Sequence, residues 1–202
     1  MDSKTYKQNL LDALYAPYKN CTMCPLGFLG RKNVVFGEGN PDADLMLIGE
    51  GPGAEEDAQG RPFVGRSGKL LTKILDLVGL PRPEVFITNI VKCRPPNNRK
   101  PLPFESTTCK GLFLKNQIRI IRPSVICTLG ATAIEGLLDL KEARITKTRG
   151  IPTKYEGITV IPAYHPAYIL RNPKELTTLV QDITLAKSLI TPKKIEQNPS
   201  NH

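Results

Sequence analysis

Several polar side chains stand out because each follows an apolar run. His165, the only histidine besides the C-terminal His202, comes after Ile158-Thr159-Val160-Ile161-Pro162-Ala163-Tyr164. Asn89 follows Val85-Phe86-Ile87-Thr88, and Glu50 follows Leu45-Met46-Leu47-Ile48-Gly49. An imidazole gives or takes a hydrogen bond near neutral pH. A carboxamide offers an acceptor and two donors, which suits the Watson–Crick edge of a base better than a phosphate. A carboxylate can activate water, and Glu56 stands close behind Glu50 as a second candidate. Each also has a bland reading: a turn cap for Asn89, a surface ion pair for Glu50, a structural histidine before Pro166. The position of His165 at the end of a run, rather than within a core stripe, favours the functional one.

The stretch Gly49-Glu50-Gly51-Pro52-Gly53 adds a loop whose backbone can come close to a ligand, since no Cβ stands in the way. It lacks the Gly-Lys-Ser/Thr of a phosphate-binding loop, and Pro52 and the acidic run Glu55-Glu56-Asp57 separate it from a dinucleotide fingerprint. Phe63, within Gly60-Arg61-Pro62-Phe63-Val64-Gly65, could stack on a flat ring or simply pack in the core.

Four of the five cysteines form a second set: Cys21-x2-Cys24 on a turn, then Cys93 and Cys109. Four thiolates can hold zinc or a [4Fe–4S] cluster. Structural zinc more often uses two tight pairs, so the open second pair leans toward iron–sulfur, although spacing alone does not decide. Cys127 lies inside an apolar run and reads as a buried small hydrophobe. A cytoplasmic chain with an odd cysteine count gives no reason to expect disulfides.

The scaffold follows from the runs themselves. Strands are expected at Leu45–Gly49, Val85–Val91, Ser124–Leu129 and Ile158–Ile161. They alternate with helical stripes from Lys69 to Val78, through Leu112, Phe113, Ile118 and Ile121, from Gly130 to Leu138, and from Leu176 to Ile190. This alternation predicts a three-layer α/β/α sandwich around a central, mainly parallel four-stranded sheet. In such a sheet all carboxyl ends lie along one edge, where ligands bind. That edge would bring Glu50, Gly51, Asn89 and His165 together.

At 202 residues with 40% apolar residues, the chain suits one domain over residues 1–190. Residues 191–202 read as a disordered basic tail. A net charge of +9 points to a polyanionic partner or to a generically basic surface. There is no long apolar run and no secretory leader pattern, so a cytoplasmic protein without a membrane span is expected, with a monomer as the default.

Four motifs in order, Gly49-Glu50-Gly51-Pro52-Gly53, Gly60 to Gly65, Thr88-Asn89-Ile90-Val91-Lys92-Cys93-Arg94-Pro95-Pro96 and His165-Pro166-Ala167-Tyr168-Ile169-Leu170-Arg171, resemble the iron–sulfur uracil-DNA glycosylases, family 4 of their superfamily. The likeness runs from about Cys21 to Ile190. It implies a [4Fe–4S] cluster with a structural role on Cys21, Cys24, Cys93 and Cys109. It also implies a monofunctional enzyme that flips uracil out of DNA, hydrolyses its N-glycosidic bond and so starts base-excision repair. In that reading His165 donates to the uracil oxygen nearest the bond, Asn89 reads the opposite edge, Phe63 stacks on the base, and the Glu50-Gly51 backbone completes the pocket. Ser67 and nearby backbone amides would contact phosphate, and the stretch from Tyr168 to Arg171, with Leu170 and Arg171 in it, would enter the duplex and fill the vacated stack.

Where a better-known branch has a water-activating aspartate, this chain has Gly51, so the general base falls to Glu50 ahead of Glu56. No lysine is expected at the strand ends, hence no Schiff base and no lyase step. The basic segment Arg144 to Arg149 lacks the histidine through which a sister group bonds covalently to DNA. The competing readings are a non-catalytic iron–sulfur nucleic-acid-binding module and a zinc-stabilised nucleotide-binding protein.

Overall fold

The computed structural model describes residues 2–191, so nearly all of the tail expected at 191–202 lies outside the described residues. Helix α1 (Ser3–Tyr15) precedes strands β1 (Glu38–Gly39) and β2 (Leu45–Gly49), and helices α2 (Ala54–Gln59) and α3 (Arg66–Leu77) lead to β3 (Phe86–Asn89). Helix α4 (Pro103–Cys109), a π-helical turn (Lys110–Leu114) and α5 (Lys115–Ile121) follow, then β4 (Val125–Leu129), α6 (Ala131–Leu138) and α7 (Ile145–Thr148). Strands β5 (Thr153–Tyr155) and β6 (Ile158–Ala163) come next, then helices α8 (Pro166–Arg171) and α9 (Leu176–Ser188).

The strands form one sheet in the order β1-β3-β2-β4-β6-β5. The four expected strands pair in parallel as β3-β2-β4-β6. The sheet has six strands rather than four, because β1 and β5 add antiparallel edges. Neither edge carries an apolar run. β5 turns back into β6 through Glu156 (φ 46°) and Gly157 (φ 85°), a hairpin turn with both central residues left-handed.

Period-two alternation divides the core into two layers. Met46, Ile48, Phe86, Ile126 and Val160 face one way and pack with Leu11 of α1, Phe113, Ile118 of α5, and Ile134 and Leu137 of α6. Leu45, Leu47, Ile87, Val125, Cys127 and Ile161 face the other way, against Leu71, Ile74 and Leu75 of α3, Ile169 of α8, and Leu179 and Ile183 of α9. This is the expected three-layer arrangement. From β2 the chain crosses to β3 on one side and later to β4 on the other, so the sheet edge opens where the order reverses, between β2 and β4.

Candidate active site and cysteine corner

A cleft of about 510 Å³ lies at this edge. The expected residues Glu50, Gly51, Glu56, Phe63, Ser67, Asn89, His165 and Arg171 all line it. Leu170 does not; it stands 39% exposed on α8, outside the cleft wall. Pro95, Asn98 and Arg99 from the loop after β3, and Thr132 from the start of α6, also contribute and were not read from the sequence. For the loop residues the signal was the Asn-Asn pair, since Asn97 (φ 52°) and Asn98 (φ 55°) both take the left-handed conformation that asparagine tolerates.

Asn89 ends β3 opposite Gly49, the last residue of β2. Its side chain is almost wholly buried, yet among the described residues Oδ1 accepts no hydrogen bond. A buried orphan acceptor at a cleft marks a place where a ligand completes the bonding. Phe63 packs beside it at φ 51°, its carbonyl accepting from Arg82 (3.0 Å) and its ring centroid 5.7 Å from that of His165. The ring belongs to the core and to the cleft wall at once.

His165 caps α8, and its Nδ1 accepts from the Ala167 N–H (3.0 Å). With Nδ1 engaged as an acceptor, the neutral ring carries its proton on Nε2. Burial, and then the cationic Arg171, push its pKa down from 6.5 to about 4, against a smaller opposing pull from Glu56. The imidazole is therefore a neutral donor at physiological pH.

The two carboxylates differ. Glu56 Oε1 accepts from the Val64 and Gly65 N–H groups (2.9 and 2.8 Å), and Oε2 from Gly53 N–H (3.1 Å), so this carboxylate holds the loop together. Glu50 also lines the cleft, and its carboxylate has no such anchors among the described residues. A Cβ at Gly51 would lie 2.8 Å from Val91 Cγ2, so an aspartate would not fit there without displacing Val91.

Four of the five cysteines lie together away from the cleft, where Cys93 and Cys109 are buried and Cys21 and Cys24 pack against the same cluster. Burial first, and repulsion from Cys109, push the Cys93 thiol up to about 12; burial also pushes Cys109 up to about 12, with Cys24 and Cys21 adding to it. All four thiols thus share one field. Cys109 lies where α4 gives way to the π-helical turn; the helix begins at Pro103, a proline in the first turn where its missing N–H costs nothing. Cys127 is fully buried, as expected. Lys92, three positions beyond β3, went unread: it is fully buried, and its ammonium meets Thr88 and Gln117 rather than the cleft.

The family model of the uracil DNA glycosylase superfamily matches residues 36–185. A type-4 uracil-DNA glycosylase of Thermotoga maritima is 52% identical over 187 residues, covering 91% of this chain and 96% of its own length. The chain belongs to the type-4 uracil-DNA glycosylases. A type-4 enzyme of Saccharolobus solfataricus is 43% identical over 193 residues, covering 92% of this chain and 88% of its own length. Similarity extends to a type-5 uracil-DNA glycosylase of Pyrobaculum aerophilum, 30% identical over 155 residues, or 69% of this chain and 68% of that one. For a type-4 uracil-DNA glycosylase the cleft is the natural place for chemistry on a base. Among the described residues, no helix is long and apolar enough to cross a membrane.

Proposed function

We propose that the protein is a monofunctional uracil-DNA glycosylase that receives a flipped deoxyuridine in the cleft between β2 and β4. The observation that carries this reading is the pairing of an Asn89 carboxamide, whose buried Oδ1 has no partner among the described residues, with a neutral His165 in one cleft, beside the Phe63 ring. Uracil offers N3–H and O4 to a carboxamide and O2 to an imidazole N–H. In the reaction the C1′–N1 bond breaks, and its electron pair leaves on uracil. Water adds to C1′ and gives up a proton, and the products are uracil and an abasic sugar. The His165 Nε2–H stabilises the charge growing on the departing base, a role for a donor fixed where charge develops. Glu50 positions the water, Ser67 contacts backbone phosphate, and Arg171 meets the DNA beside the cleft. The exposed Leu170 fills the stack that the flipped base leaves. Release of free uracil from a U:G oligonucleotide tests the proposal; DNA binding without release would leave only a binding module.

Glu56 serves as a loop clamp, not as the base. Glu56→Gln places an amide NH2 against one of three backbone donors and should slow release less than tenfold, whereas loss of a general base costs on the order of 10²–10⁴. Single-turnover kinetics beside Glu50→Gln separates the two.

The cysteine corner fits a [4Fe–4S] cluster on Cys21, Cys24, Cys93 and Cys109. Arg31 donates through Nη2 to Cys21 O (2.8 Å), while its buried Nε–H has no partner among the described residues, a donor left for an acceptor such as a cluster sulfide. Among the described residues, no three His, Cys, Asp or Glu side chains are grouped to hold a single metal ion. A tetrahedral zinc would need sulfurs about 3.8 Å apart, whereas a four-iron cluster gives each cysteine its own iron. When bound, the cluster supplies a cross-link between the N-terminal turn and the segments after β3. Cys93→Ser should abolish an absorbance band at about 400 nm and lower Tm by ~10 °C or more. Absorbance and calorimetry on the purified protein check both.

A further inference from the structure

Lys92 is fully buried, and among the described residues it forms no ion pair. Burial without a counter-ion disfavours the charged form of this amine, and each N–H it carries there needs an acceptor. Here each has one: Nζ donates to Thr88 Oγ1 (2.5 Å), Asn89 O (2.7 Å) and Gln117 Oε1 (2.8 Å). Thr88 Oγ1 and Gln117 Nε2 in turn donate to Phe36 O (2.9 and 2.8 Å), which ties the frame to the neighbouring segment.

The contact that matters is Asn89 O. The next peptide N–H, that of Ile90, donates to Gly49 O (2.9 Å), so the main chain of Asn89 is held between β2 and the Lys92 ammonium. The carboxamide projects from this clamped residue toward the cleft, without a partner of its own on Oδ1. The backbone of Lys92 is also fixed, its N–H donating to Cys109 Sγ (3.2 Å) and its carbonyl accepting from Val35 N–H (2.7 Å). One residue therefore links the cysteine corner to the residue that reads the base.

We propose that Lys92 is a positioning residue for uracil recognition, holding the Asn89 main chain so that its carboxamide meets the base edge in register. This rests on the recognition role given to Asn89 above. A lysine that merely filled space would be replaceable by methionine without a specific effect on recognition.

The test is a double-mutant cycle of Lys92→Met and Asn89→Ala, read by single-turnover uracil release, with the absorbance band and Tm as folding controls. In the wild-type background Lys92→Met should lose on the order of 10²-fold in rate while keeping the band, the loss expected of a group displaced by about 1 Å. In the Asn89→Ala background the same change should cost less than about twofold, because the group it positions is gone. An equal loss in both backgrounds, or no loss in wild type, overturns the proposal. If Lys92→Met does not fold, Thr88→Val and Gln117→Met, each removing one acceptor, take its place. A loss of about fivefold confined to the Asn89 background supports the proposal, and wild-type rates overturn it. Uracil release at wild-type rate by Asn89→Ala would overturn the recognition reading itself. A crippled Asn89→Ala beside an unimpaired Lys92→Met overturns this inference alone.

Discussion

Replacing His165 with alanine is expected to lower single-turnover uracil release by on the order of 10²–10³, the loss typical of one preorganised donor at a developing anion. DNA binding and the band at about 400 nm proposed for a cluster should survive, since among the described residues the imidazole makes one local bond, to Ala167 N–H. Acidity gives the sharper version. A histidine with the ordinary pKa of 6.5 would impose an acid limb near that pH, whereas His165, at about 4, stays neutral well below it. The rate should hold as pH falls through 6.5 and drop only near 4, where protonated Nδ1 can no longer accept from Ala167. Stability runs the other way in this window. The folded pKa is depressed, so the unfolded chain takes its proton first, and this contribution is intact above 6.5 and declines as pH falls toward 4. A pH–rate profile with its acid limb at 6.5 would mean that His165 takes its proton at the ordinary histidine pKa and that the neutral ring placed here is not held against protonation.

Much of this site is legible in the sequence, for a simple reason. Buried parallel strands are short apolar runs, and the residue that ends each run must lie on one edge of the sheet. Glu50, Asn89 and His165 were found in that way, from strands that needed no partner to be recognised. The edge strands escaped because Glu38–Gly39 and Thr153–Tyr155 are two and three residues long and take their shape from β3 and β6. Glu56 was read as a possible base because a sequence shows a carboxylate but not the three amides that converge on it. Lys92 escaped for the same reason. A lysine after a strand reads as surface until its acceptors from β3 and α5 are in view.

The second large effect is expected from the smallest substitution. Gly49→Ala should reduce uracil release by on the order of 10²-fold while leaving the fold and the absorbance band in place. Its backbone is ordinary; the constraint is space. A Cβ there would lie 2.5 Å from Asn89 Oδ1 and 2.6 Å from Phe63 Cζ, so the reading group and the stacking ring compete for the volume that glycine leaves empty. Neither can easily withdraw. The Phe63 backbone is pinned by Arg82 and by Gly68 of α3, where even a methyl would fall 2.0 Å from the Phe63 carbonyl. The Asn89 main chain is held by Ile90 N–H on Gly49 O and by Lys92. The new methyl must therefore turn the carboxamide or tilt the ring, and either disturbs how the base is seated. Gly111→Ala is the matched control, since nothing lies within 4 Å of a Cβ at that position. A Gly49→Ala protein that releases uracil as fast as Gly111→Ala would show that the base is not read by a carboxamide and a ring sharing one tightly filled space.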